Sequence, residues 1–114
     1  MATPKYVPER GDVVWLTFDP QAGHEQAGHR PALVLSPSAY NGRTGLMLCC
    51  PITSQVKGYP FEVLVDRNPV VTGAVLADQV KCLDWQVRRA KKKGKVPPLV
   101  VRETLKKLHA LLGE

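Results

Sequence analysis

Short runs of β-branched, aliphatic and aromatic residues recur about every ten positions through most of the chain, and this rhythm constrains the fold more than any other feature. DVVWLTF (12–18) ends at Asp19-Pro20, and ALVLS (32–36) lies between Pro31 and Pro37. GLMLCCPI (45–52) sits between the turn chemistry of Asn41-Gly42 and Gly45 and the polar stretch TSQVKGYP. FEVLV (61–65), GAVLA (73–77) and QVKCLDW (79–85) complete the set. Parallel strands need long crossover connections, so runs this short and close predict an antiparallel barrel or sandwich of mainly β class.

The final segment changes period. After Pro97-Pro98, the residues Val101, Leu105, Leu108 and Leu112 recur at steps of four, three and four, Arg102, Lys106 and His109 take another face, and Gly113 stops the pattern. This predicts an amphipathic helix of about four turns that caps the sheet. A length of 114 residues suits one domain, 1–114, with its own core. No apolar run approaches the roughly 20 residues of a membrane span. The opening MATPKYVPERGD lacks the apolar centre of a signal peptide, so a cytoplasmic location is expected. Cys49 and Cys50 are adjacent and point to opposite faces of a strand, Cys82 stands alone, and no C-x-x-C occurs. They read as small core or surface residues; neither a zinc site nor a cofactor is expected.

The net charge of +6 has one source. RRAKKKGK (88–95) holds six of the 16 basic residues and no acid, leaving ten basic against ten acidic residues elsewhere. Such a run is most simply a solvated loop or hairpin end. As a phosphate site, its six cations would give a log–log salt slope of about −4 on a single strand. AGHEQAGHRP (22–31) is a second polar stretch, with two histidines, a glutamate and an arginine between glycines and a proline. Histidine titrates near neutral pH and a guanidinium fork fits phosphate, so acid–base or phosphate chemistry is open to this loop; plain solubility is open too.

The order of motifs is more specific than any one of them. GDVVWLTFDP (11–20), AGHEQAGHRPALVLSP (22–37), YN (40–41), PITSQ (51–55), YPFEV (59–63) and AVLADQVK (74–81) follow one another over nearly the whole chain. In that order and spacing they resemble the MazF/PemK toxins, the endoribonuclease halves of bacterial toxin–antitoxin pairs, and are most similar to the MazF branch. The resemblance implies a small SH3-like antiparallel β-barrel with a C-terminal helix, a homodimer, and metal-independent cleavage of single-stranded RNA at short sequences, which halts translation and growth. It also implies a MazE-like antitoxin whose acidic, disordered tail lies along the RNA-binding face.

Metal-free RNA cleavage is easiest through the substrate's own 2′-hydroxyl, which attacks the adjacent phosphorus to leave a 2′,3′-cyclic phosphate and a 5′-hydroxyl. Something must take the 2′ proton, stabilise the phosphorane and protonate the departing oxygen, while the nucleotide is held for in-line attack. By resemblance Arg30, in the G-x-R-P motif, is the functional arginine, and a fixed cation suits the charge role better than the base role. Thr53 matches the family's threonine or serine after the proline-containing strand, and Ser54 can share its role. His24, Glu25 and Asp78 remain open as base; the PemK branch pairs the aspartate with an arginine two residues earlier, where this chain has Leu76. His29 is an auxiliary member of the loop. Gln55, Lys57, Tyr59, Gln79 and Lys81 are the expected substrate contacts, Tyr59 being the aromatic best placed to meet a nucleotide. Arg88, Arg89 and Lys91 to Lys93 either extend that track or receive the antitoxin's acidic tail. Trp15, Phe18, Tyr40, Phe61 and Trp85 mostly lie in strand-like runs and read as core.

Two other readings use the same fold class. CcdB toxins share the fold but trap DNA gyrase; the set Glu25, Arg30 and Thr53 and a C-terminus without tryptophan argue against that. A basic nucleic-acid-binding barrel without chemistry would bind RNA in a salt-sensitive way and leave its ends intact.

Overall fold

In a computed structural model, residues 6–18, 28–65 and 68–113 are described. The strands are β1 (Asp12–Thr17), β2 (His29–Val34), β3 (Leu46–Thr53), β4 (Glu62–Val65), β5 (Gly73–Leu76), β6 (Lys81–Asp84) and β7 (Lys91–Lys95). Helix α1 (Ser38–Thr44) precedes β3, a 3-10 turn covers Ala77–Gln79, and α2 (Pro98–Leu111) follows β7. All pairings are antiparallel, in the order β4-β5-β3-β2-β1-β7. β3 is the hub: one edge pairs β2, and the other pairs first β6 and then β5. The result is a curled antiparallel half-barrel with a C-terminal helix, the class expected from the strand rhythm.

The sheet is buried on both faces, which explains why its strands read as continuous apolar runs. Alternate residues feed two cores. Val13, Leu33, Cys50, Ile52 and Val75 pack beneath α2, where Val101 is buried and Leu105 and Leu108 lie against them. Val14, Leu16, Ala32, Val34, Cys49 and Trp85 form the other core, covered by Tyr6 and Val7. Cys49 and Cys50 therefore occupy opposite faces, and burial pushes the Cys49 thiol up to about 12, out of the range of thiolate chemistry. Each fully buried aliphatic chain contributes about 1.5–3 kcal/mol of transfer free energy.

Three elements differ from the sequence expectation. Asn41-Gly42 is not a turn between strands but the middle of α1, which Gly45 ends in the left-handed conformation at φ 76°. Asn41 is wholly buried: its amide donates to Pro8 O at 2.8 Å and to Ser36 O at 3.0 Å, its Oδ1 accepts from Ser36 Oγ at 2.6 Å, and its carbonyl accepts from Trp85 Nε1 at 2.9 Å. β2 begins at His29, three residues before the apolar run, so His29 and Arg30 are strand residues opposite Thr17 and Leu16. The basic run is not simply a loop, because Lys91–Lys95 is strand β7, added to the sheet beside β1.

β7 contains no large apolar residue, so its attachment needs another cause. Asp12, fully buried at the start of β1, supplies it. Its carboxylate accepts from the Tyr6 hydroxyl and from the Glu9 N–H at 3.0 Å, and pairs with Lys95 Nζ at 2.8 Å and Lys92 Nζ at 3.8 Å. Burial alone would raise the Asp12 pKa; the Lys95 ammonium, the Tyr6 hydroxyl and the Glu9 N–H outweigh it and hold the group below the ordinary carboxylate value. Asp12 in turn raises Lys95. The register shifts between Val13 and Val14, which face Gly94 and Lys92, so Lys93 bulges out of the ladder.

Candidate active site

Thr53 is the last residue of β3, buried, and opposite Ala74 of β5. β5 passes so close that a Cβ on Gly73 would lie 2.1 Å from the Thr53 carbonyl oxygen, so only glycine lets the strands meet there. The Thr53 hydroxyl accepts the Gln55 N–H at 3.1 Å. That contact uses a lone pair and leaves the hydroxyl hydrogen available as a donor. The self-capping expected of a Thr-Ser pair and a role toward a ligand are therefore compatible in one side chain.

Two hollows share Thr53 as a wall. On one side lie Gln55, Lys57, Tyr59, Glu62, Asp78 and Gln79. On the other lie His29, Arg30 and Ser54, with Trp15 and Lys93. The expected substrate contacts Gln55, Lys57, Tyr59, Asp78 and Gln79 are thus gathered in one hollow, and Arg30, His29 and Ser54 in the next. Lys81 opens β6 opposite Cys49 and is not among the residues lining either hollow. His24 and Glu25 lie outside the described residues. Leu76, where the PemK branch carries arginine, is buried and lines the first hollow, so Asp78 has no arginine at that position.

The hollows differ in charge. The first combines Lys57 with two carboxylates, Glu62 and Asp78. The second, among its described lining residues, carries Arg30 and Lys93 and no acid. An anion is favoured on the Arg30 side, where the guanidinium fork and a threonine hydroxyl line the same hollow. The other side offers polar and aromatic edges suited to reading a base: Tyr59 is 52% exposed, its ring 6.2 Å from that of Phe61.

Glu62 had no role in the sequence reading. It is the first residue of β4 and buried, yet its carboxylate accepts backbone N–H groups from Lys57 at 3.2 Å, Gly58 at 2.9 Å and Tyr59 at 3.1 Å. The loop is wrapped around its own anion, with Gly58 at φ 77°, and this aims Lys57 and Tyr59. Lys107 of α2 adds a brace, donating to Pro60 O at 2.6 Å. The available sequence signal was a charged residue inside the apolar run FEVLV. Trp15, read as core, is instead half-buried and forms part of the Arg30 hollow.

Comparison with known proteins gives this fold a family context. The PemK-like, MazF-like toxins of type II toxin–antitoxin systems match residues 9–112. The endoribonuclease toxin MazF of Escherichia coli is 51% identical over 109 residues, 96% of this chain and 97% of that protein. The crystal structure of MazF from Deinococcus radiodurans superposes with a TM-score of 0.93 at 57% identity, covering 96% of this chain and 100% of that one. The same toxin in a MazE–MazF crystal structure gives a TM-score of 0.86 at 58% identity, covering 96% and 98%. A match along nearly the whole length, in sequence and in backbone, means that this chain belongs to the PemK-like, MazF-like family of type II toxins.

Proposed function

We propose that the chain, as one toxin domain spanning 1–114, is an endoribonuclease of a type II toxin–antitoxin pair. It cuts single-stranded RNA at short sequences and is neutralised by a MazE-like antitoxin; it acts in the cytoplasm as a homodimer and needs no metal. The observation that carries the site assignment is the sharing of Thr53 between a hollow whose described lining includes Arg30 and Lys93 and a polar, aromatic hollow containing Tyr59 and Asp78. A phosphate beside Thr53 has Arg30 on one side, and a base next to that phosphate meets Tyr59, Gln55 and Gln79 on the other.

The reaction then needs only the substrate's 2′-hydroxyl as nucleophile. Arg30 neutralises charge on the pentavalent phosphorus, and its fixed fork is strongest where the charge is greatest, so it favours the transition state over bound RNA. Thr53 donates its hydroxyl hydrogen to a phosphoryl oxygen. Lys57, Tyr59, Ser54, Asp78 and Gln79 orient the strand so that attack is in line, and His29 flanks Arg30. The base belongs to His24, Glu25 or Asp78; the first two precede Arg30 in the chain, and Asp78 lines the other hollow that Thr53 walls. Placement of Arg30 within a paired strand supports its role, because a strand holds a guanidinium more tightly than a loop does.

The test is incubation of purified protein with long single-stranded RNA in excess EDTA, beside Arg30→Ala. Discrete cuts with cyclic phosphate and 5′-hydroxyl ends, absent from the variant, are expected. Intact RNA from a folded, antitoxin-free preparation would overturn the assignment and favour gyrase trapping or plain nucleic-acid binding.

A further inference from the structure

The basic run is divided by the bulge into two sets of lysines with different surroundings. Lys92 and Lys95 turn toward Asp12 and are its ion-pair partners. Lys91 stands directly across the ladder from Trp15, and Lys93, displaced by the bulge, reaches over the indole with Nζ 5.0 Å from the ring centroid. Among the described residues no acid pairs with Lys91 or Lys93, and both are exposed. On its other side Trp15 meets the edge of His29, centroids 4.9 Å apart at 60°. His29 adjoins Arg30 in β2, and Trp15 and Lys93 line the Arg30 hollow. Trp15 also lines a shallow depression with Lys91, Lys92 and Lys93 on the far side.

We propose that Trp15, Lys91 and Lys93 form a second single-stranded RNA track that leaves the Arg30 hollow and runs onto β7. The proposal rests on the ribonuclease reading for its direction, away from the scissile phosphate, but not for its chemistry. A half-buried indole flanked by two ammonium groups is a stacking platform with cations beside it, the combination by which proteins hold single strands without reading sequence. Lys93 covers the indole as a weakly held cation; an incoming base takes the ring face and the ammonium moves to the adjoining phosphate. An acidic peptide would find the cations but has no use for the aromatic face, and this favours RNA. The site's task is affinity for long RNA, since neither stacking nor phosphate pairing distinguishes one base from another.

The test uses the full chain, purified free of antitoxin, and fluorescent oligonucleotides blocked at every 2′ position. One is about 6 nucleotides long and one about 14, lengths spanning the range of single-strand sites on small barrels. The proposal expects the longer strand to bind more tightly, and Lys91→Gln/Lys93→Gln to remove about tenfold of that affinity and to make the log–log salt slope shallower by about 1.4. Trp15→Leu should remove a similar factor without changing the slope. Arg102→Gln/Lys106→Gln on α2 has the same charge change elsewhere and should keep the length-dependent gain. Equal losses in the α2 variant, or an intact gain in the β7 variant, would overturn the track. Unchanged RNA binding with weakened binding of a polyglutamate peptide would overturn it too, and transfer β7 to an acidic partner. Lysine-dependent binding without any RNA cleavage would leave the track standing and sink the ribonuclease reading; Arg30-dependent cleavage with an intact gain would do the reverse.

Discussion

Asp12 and Glu62 are both buried carboxylates at the first residue of a strand, and they are satisfied by different means. Asp12 is held chiefly by side chains, the Lys95 ammonium and the Tyr6 hydroxyl, and ties β7 and the segment around residues 6–9 to β1. Glu62 is held by backbone N–H groups of Lys57, Gly58 and Tyr59. A carboxylate held by side chains fastens elements whose backbones are already paired elsewhere. One held by consecutive N–H groups dictates the shape of a loop that has no ladder of its own. The first therefore belongs to stability and the second to the site.

The sharpest way to break this distinction is Asp12→Ala. It leaves Lys95 and Tyr6 without their shared partner and should cost about 3 kcal/mol in a urea titration, while kcat/KM of the folded fraction on a short RNA stays within about twofold. Loss of turnover without loss of stability would erase the contrast. Glu62→Gln should do the opposite, lowering kcat/KM about tenfold, mostly through KM, with at most about 1 kcal/mol of stability lost, because the amide still accepts at one oxygen. A third, smaller effect is in pH. The folded-state pKa of Asp12 is depressed, so its contribution is complete above the unfolded value of about 3.9 and disappears as the pH falls through the folded value. Lys95 has the opposite sign: raised by Asp12, it stabilises below about pH 10.4 and ceases to do so as the pH climbs past its folded value. Asp12→Asn should flatten the acid limb of a denaturation profile below about pH 4, whereas Glu62→Gln should leave the Asp12 contribution there in place. Smallest of all, Lys107→Met removes the exposed brace to Pro60 and should cost no more than about 0.5 kcal/mol and less than a twofold rise in KM.

What could be read from the sequence follows the same line between local and distant causes. The strands of the two cores announced themselves because their alternate residues are apolar toward both faces, and α2 because Val101, Leu105 and Leu108 repeat on one side. Helix α1 did not. Asn41 and Gly42 are turn formers, and the helix persists because Asn41 is anchored to Pro8 and Trp85, contacts that no local window of sequence contains. KKKGK is an implausible strand until Asp12 is known to lie beside it. At the site, the motif order drew attention to Arg30, Thr53, Tyr59 and Asp78, which the fold gathers around two hollows. Glu62 and Trp15 escaped notice because their parts depend on a loop folding back and on a neighbouring strand, and apolar surroundings in the sequence suggested only core.

β7 also ends the sheet, with β4 at the other end of the strand order. An outermost strand exposes unpaired N–H and C=O groups, and a second molecule can dock on them and extend the sheet into an aggregate. Here that edge carries a bulge and, in Lys91 and Lys93, two exposed cations that no acid among the described residues pairs, so two such edges repel before their backbones can align. Salt or a bound polyanion weakens the repulsion. The colloidal behaviour of this protein is thereby linked to its RNA load: the cations that keep its copies apart are the ones a nucleic acid would neutralise.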